Sequence, residues 1–261
     1  MDSSSPQLSE YQAGARRLYA SGVLTDFTII CGDKRYEVHR AILICHSAYF
    51  KACFLSGLRE AEQRVIDLKD DPPQAVELMI QYFYDQEYDV GVDEESKKAA
   101  PYTHSTVYAV ADKYLVPALK ALARVKFGLA LKQGVLPPGA TQHIYESTPE
   151  TDHGLRDLIF LVYATHIQRE KENNLAGLSG NVPRLIGMYK HNYNESPELA
   201  AEIATFASFS QAGVLRSRGV VGAEVGSQAL INDVFAYLGM REDKTRETKL
   251  RALTDLIGIT S

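Results

Sequence analysis

The chain has 261 residues, 45% hydrophobic and 23% charged, which suits one large or two small soluble domains with a sizeable core. A formal net charge of -5 with no basic run excludes nucleic acid as the main partner, because phosphate binding needs clustered Lys and Arg. The N-terminal "MDSSSPQLSE" lacks the basic flank and apolar run of a signal peptide, and no stretch reaches the roughly 18 apolar residues of a membrane span.

An intracellular protein, cytoplasmic or nuclear and without membrane attachment, is therefore expected. The three cysteines, Cys31, Cys45 and Cys53, do not form a disulfide framework and fit a reducing compartment. There is no Trp, so 15 Tyr and 9 Phe supply the aromatic core.

A first helix is predicted over Leu8 to Ala20, weakened by Gly14. Asp26 to His39 reads as a hairpin, with β-branched and aromatic residues on both sides of Gly32-Asp33, a Gly-first pair suited to a II′ turn. Ser47 is an N-cap for a helix through Phe54, because its hydroxyl accepts an orphan backbone N–H, and Gly57 stops that helix. "RVIDL", 64–68, reads as a short strand. Asp71-Pro72 predicts a capped helix start, followed by Val76, Met79, Ile80 and Phe83 on one face.

The segment 85–95 carries six acidic groups and no basic one; a short edge strand at Tyr88 to Val90 and a solvated loop are expected. Val107, Val110, Ala111, Tyr114 and Leu115 make another helical face, and Pro117 opens the next helix, through Leu119, Leu122, Ala123 and Phe127. "QGVLPPGA", 133–140, reads as a linker. Beyond it the pattern is helical. Thr148-Pro149-Glu150 and Ser196-Pro197-Glu198 give start signals, the first leading to Leu155, Leu158, Ile159, Val162, Tyr163 and Ile167.

Chemistry finds little footing. Cys45, His46 and Cys53 lack the paired spacing of a zinc site, and Cys45 lies in an apolar run where a thiol packs as a small hydrophobe. Adjacent Cys45 and His46 side chains diverge, which removes the base from the nucleophile. His39 is read as a hydrogen-bonded packing histidine. "GVVGAEVG", 219–226, has neither phosphate-loop pattern. No catalytic residue, metal or cofactor is expected, and an enzyme in the C-terminal half is the weakest reading.

The element order is that of an α+β domain. Residues 24 to 71, "LTDFTIICGDKRYEVHRAILICHSAYFKACFLSGLREAEQRVIDLKDD", resemble the BTB/POZ domain. The family pattern falls on Asp26, Val38-His39-Arg40, Leu43, Ser47, Phe50 and Val65 to Leu68, and "VYAVADKYLVPALK" resembles its later helix pair. The resemblance covers about residues 18–131, after an N-terminal segment 1–17. "IYESTPETDHGLRDLIFLVYATHI" resembles the helical extension of fungal BTB proteins, so 132–261 is expected to be all-α. Neither a kelch repeat, a MATH domain nor a zinc finger is recognisable.

The resemblance implies a small sheet flanked by helices that binds protein partners. It implies a homodimer through Leu8, Tyr11, Ala15, Leu18, Tyr19, Val23, Leu24 and Phe27, although the same residues suit the domain's own core. It implies a charged pocket at Asp26 and Arg40. One family subset recruits cullin-type ubiquitin ligases through a hydrophobic-x-Glu motif, matched by Leu58, Arg59 and Glu60, letters that an ordinary charged loop also provides. The alternative is a transcription-linked scaffold that binds a corepressor peptide near Asp26 and Arg40.

Overall fold

Two strands joined by a two-residue turn begin the sheet. β1 (Phe27–Cys31) pairs antiparallel with β2 (Lys34–Val38), and Gly32 takes the positive φ of 57° that the first turn position of a II′ hairpin requires. β3 (Val65–Asp67) joins the other side of β1 in parallel, giving the order β2-β1-β3. A parallel partner cannot be reached by a tight turn, and three short helices make the crossing: α2 (Arg40–His46), α3 (Ala48–Leu55) and α4 (Arg59–Gln63). Side chains alternate across the strands. Phe27, Ile29, Cys31, Tyr36, Val38 and Ile66 face inward and are buried.

The computed structural model describes residues 6–56, 59–133, 137 and 139–160. The expected Gly57 stop, Val162, Tyr163, Ile167 and the Ser196 start signal lie outside them. The chain divides into two units, Met1–Lys126 and Phe127–Ser261. The first is an α+β arrangement with α1 (Pro6–Ser21), α5 (Pro73–Asp85), α6 (Glu94–Lys113) and α7 (Pro117–Gln133), the last running across the boundary. In the second, α8 (Ala140–Ser147) is followed by a helical stretch at 153–160, in which Leu155, Leu158, Ile159 and Phe160 are buried. Thr148-Pro149-Glu150 does not open that stretch. Thr148 is the C-cap of α8 instead, and the buried Arg156 guanidinium satisfies the carbonyls of Tyr145 and Thr148.

α5 is the central helix. Val76, Met79, Ile80 and Phe83 are buried as the spacing predicts, but Ala75, Leu78, Tyr82 and Tyr84 are buried too, because α5 is covered on several sides. Its start differs from expectation. Pro72 is the N-cap, no side chain caps the helix, and Asp71 turns its carboxylate elsewhere. Asp71 accepts from Tyr114 Oη at 2.6 Å and from Lys113 Nζ at 2.8 Å. For a buried carboxylate, charge-assisted partners are worth more than a cap. Burial and the Asp71 carboxylate together push the Tyr114 hydroxyl's pKa up.

Ser47 is the N-cap of α3 and has a second task. Its Oγ accepts from Phe50 N–H at 3.0 Å and donates to the Tyr114 carbonyl at 2.6 Å. Just beyond, Leu115 is not on a helical face: α6 ends at Lys113, and Leu115 adopts φ 51° and is exposed. That left-handed step places its carbonyl to accept from Ala48 N–H.

The expected edge strand at Tyr88 to Val90 does not form. Side chains take the backbone groups a neighbouring strand would need: Glu87 accepts from Tyr88 N–H, Gln81 from Asp89 N–H, and Lys126 donates to the Tyr88 carbonyl. The Tyr88 ring is buried and shares a 2.8 Å hydrogen bond with His104 on α6. The acidic run instead ends in a helix start, with Asp93 accepting from Glu95 and Ser96 N–H.

Ser47→Ala removes a cap and a buried donor at once and is expected to lower unfolding free energy by about 1–3 kcal/mol, read from denaturant melts. Burial lowers the His104 pKa to about 4, with the Lys126 charge adding to the effect. Between that value and about 6.5 the unfolded chain holds more protons, so stability falls as pH drops through this window. Burial also lowers His46 and His143, so their effect runs the same way. Comparing melts of wild type and His104→Phe from pH 7 to pH 4 isolates the His104 part, on the order of 2–3 kcal/mol in wild type and absent in the variant.

Candidate protein-interaction site

The first candidate surface is α1 with the segment that follows it. α1 packs on α5 of its own chain. Tyr19 stacks on Tyr84 with ring centroids 4.4 Å apart, Arg16 Nε pairs with Asp85 at 2.5 Å, and Ala15 is buried. Tyr84 in turn anchors the hairpin's end. Its hydroxyl accepts from His39 N–H at 3.0 Å and lies 2.8 Å from His39 Nδ1. His39 Nε2 lies 2.8 Å from the Val23 carbonyl, which can only accept. The ring hydrogen therefore sits on Nε2, and Nδ1 accepts from Tyr84. Burial pushes the Tyr84 hydroxyl up to about 12 and keeps it protonated as this network requires.

These contacts divide the eight residues expected at a dimer interface. Ala15, Tyr19 and Phe27 serve the chain's own core, and Leu18 is half-buried. Tyr11, Val23 and Leu24 point outward at 54%, 56% and 81% exposure. Leu8 lies on α1, and its side chain is outside the described residues. Leu24 combines high exposure with φ 63°, a conformation costly for a branched side chain.

Asp26 and Arg40 are neighbours, but they do not meet charge to charge. Asp26 Oδ1 accepts the backbone N–H of Arg40 at 2.8 Å. The guanidinium turns the other way, donating to the Phe54 carbonyl at 3.2 Å and lying 4.7 Å from the centroid of the Phe54 ring. The contact fixes the entry of α2; Asp26 also lines an open cleft with Arg35, Glu37 and Arg64, which Arg40 does not join.

The second candidate surface follows α3. Phe50 and Phe54 face inward, leaving Ala48, Lys51, Ala52 and Leu55 as an outward stripe at helical spacing, with Leu55 73% exposed. Of the expected motif, Leu58 lies outside the described residues, Arg59 opens α4, and Glu60 is half-buried on α4. Glu60 sits close enough to α3 for its charge to add to burial in raising the Tyr49 hydroxyl and the Cys53 thiol. Leu55 and the outward Leu115 were invisible to the sequence reading as surface, because helical spacing placed Leu115 inward and nothing local distinguished Leu55 from core.

Cys45 is exposed, not packed, whereas Cys31 is buried and directs its Sγ at the carbonyls of Leu68 and Asp71. Among the described residues no group of three or more His, Cys, Asp or Glu is placed to hold a metal ion, and no helix is long and apolar enough to cross a membrane.

The BTB/POZ domain model matches residues 16–127. The chain is 36% identical over 75 residues to Kelch-like protein 8 of Mus musculus, covering 29% of this chain and 12% of the relative. It is 32% identical over 78 residues to Kelch-like protein 25 of Homo sapiens, covering 30% and 13%. It is 31% identical over 128 residues to Kelch-like protein 40a of Danio rerio, covering 46% and 21%. The chain thus spans only a minor part of the length of these relatives. Among solved structures, the BTB domain of zebrafish PATZ1 matches at 16% identity and TM-score 0.38, over 51% of this chain and 98% of that one. Residues 16–127 of this chain are a BTB/POZ domain, a protein-interaction fold.

Proposed function

We propose that this chain is a self-associating adaptor that presents a protein substrate to a cullin-type ubiquitin ligase. The observation that carries the ligase part is the outward α3 stripe ending in Leu55, which continues in sequence into Leu58-Arg59-Glu60. An apolar anchor supplies binding energy by burial, and a nearby carboxylate sets orientation. This is the physics the hydrophobic-x-Glu motif asks for. The BTB/POZ match and the Kelch-like relatives support the reading.

Self-association rests on Tyr11, Val23 and Leu24. The domain's own core uses their neighbours and leaves these three outward, Tyr11 on α1 and Val23 and Leu24 in the passage to β1. A two-fold pairing would bury each against the other copy. The strained Leu24 backbone is consistent with a side chain held in place for a contact.

Pull-down of purified cullin by the wild-type chain and by Leu58→Ala/Glu60→Ala tests the ligase part. A loss of about tenfold or more in the variant is expected; equal capture by both, or none by either, refutes it. Light scattering coupled to size exclusion tests the other part. Wild type is expected at twice the chain mass and Leu24→Glu at one chain mass, since a buried unpaired charge is costly. A monomeric wild type, or a variant that stays dimeric, removes the proposed interface.

A further inference from the structure

We propose that Arg40 is a positioning residue for the docking end of α3: its side chain reaches from the start of α2, closes the last turn of α3 and so presents Leu55 to the partner. The partner is the one that the ligase reading supplies, so the role rests on that reading.

The last turn of a helix leaves carbonyls without intrahelical donors. In α3 these are closed from two directions. Ser56, the C-cap, donates its backbone N–H at 3.4 Å and its hydroxyl at 2.7 Å to the Cys53 carbonyl. The next carbonyl, that of Phe54, accepts from Arg40 Nη2 at 3.2 Å. The same guanidinium lies 4.7 Å from the Phe54 ring centroid, so one side chain holds both the backbone and the ring of Phe54. Phe27 packs on that ring from the sheet, with centroids 4.6 Å apart. A helix advances about 100° per residue, so pinning Phe54 inward also sets the direction of Leu55. Leu55 then stands outward.

Local rules do not account for an arginine at this position. Arg40 is the first residue of α2, and the start of a helix favours negative charge. Its charge is delivered instead to the end of α3, where the carbonyls favour a cation. The reach is fixed at its base. Arg40 N–H donates to Asp26 Oδ1 at 2.8 Å, and the preceding His39 N–H donates to Tyr84 Oη at 3.0 Å. A side chain that starts from an anchored backbone loses less freedom when it caps α3. The charges nearby agree with this placement. Burial raises the Cys53 thiol, Glu60 raises it further and Arg40 draws it back, so the cation and the Glu60 carboxylate act at the same turn of α3.

Arg40 does not have to touch the partner for this. An apolar anchor binds well when it is held in one orientation, because each freedom frozen at docking subtracts from affinity. A frayed end of α3 would let Leu55 sample several directions and would cost affinity although no contact group is removed.

Two variants of the full chain separate the cap from packing. Arg40→Met keeps the apolar stem and loses donor and charge, whereas Arg40→Lys keeps a donor and the charge. Amide hydrogen exchange at Phe54, Leu55 and Ser56 is expected to rise about tenfold in Arg40→Met and to stay near wild type in Arg40→Lys. Purified cullin is expected to bind Arg40→Met about tenfold more weakly, and Arg40→Lys within about threefold of wild type. In a Leu55→Ala background, Arg40→Met is expected to weaken binding no further, because the two residues act through one contact. Unchanged exchange in Arg40→Met, a rise of equal size throughout α5, or full cullin affinity in Arg40→Met overturns the role. So does an Arg40→Lys chain that behaves as Arg40→Met, or losses that add in the Leu55→Ala background. If wild type captures no cullin, the ligase reading falls, while a rise in exchange confined to the end of α3 still supports the hold of Arg40 on that helix.

Discussion

Asp71, directly and through Tyr114, ties its own segment to three others that are distant in sequence. Its oxygens accept from Tyr114 and Lys113 at the end of α6, and its own carbonyl receives the Cys31 thiol at the end of β1. The Tyr114 carbonyl receives Ser47, which caps α3, and the Tyr114 ring stacks on Phe50 of that helix. The sheet, the approach to α5, the end of α6 and α3 thus share one buried polar junction. Lys113 is half in solvent and contributes little by itself. The Tyr114 bond is buried away from solvent. Such a network is costly when partly broken, which makes it a determinant of one arrangement more than a source of net stability.

The surfaces follow from that junction. Ser47 fixes where α3 begins, and therefore which residues of α3 face Phe83 and Tyr114 and which face outward. The Ala48–Leu55 stripe is what remains after Phe50 and Phe54 are spent on the core. α1 follows the same economy on the other side, where Tyr84 binds Tyr19 and His39 together and leaves Tyr11, Val23 and Leu24 outward. In both places the exposed apolar residues lie beside a rigid aromatic or hydrogen-bonded anchor. That suits binding, because little entropy is left to lose when a partner docks.

Much of this was legible locally. The hairpin turn, the Ser47 cap, the short strand at 64–68, the buried face of α5 and the Pro117 start all follow from chemistry within a few residues. Where the fold departs from the local pattern, a distant partner or an early helix end is the cause. Asp71 looked like a helix cap because it precedes proline, yet its better partners lie 42 and 43 residues away. Tyr88 to Val90 looked like an edge strand by composition, yet Gln81, Glu87 and Lys126 occupy its backbone. Leu115 looked inward by period, yet the helix had already ended. For the candidate site, the Leu58-Arg59-Glu60 letters were visible, but that Leu55 accompanies them on the surface was not.

Local chemistry along the chain sets the α+β order of elements, the hairpin, the helix starts marked by side chains acting on their own backbone, and the resemblance to a BTB/POZ domain over its first half. Each depends on contacts a few residues apart or on an ordered pattern of letters. Which apolar residues of α1 and α3 are core and which are surface follows from the three-dimensional packing. It alone turned Asp71 from a cap into a junction. Those outcomes depend on what approaches from another segment, and a long-range neighbour leaves no periodicity in the sequence that it covers.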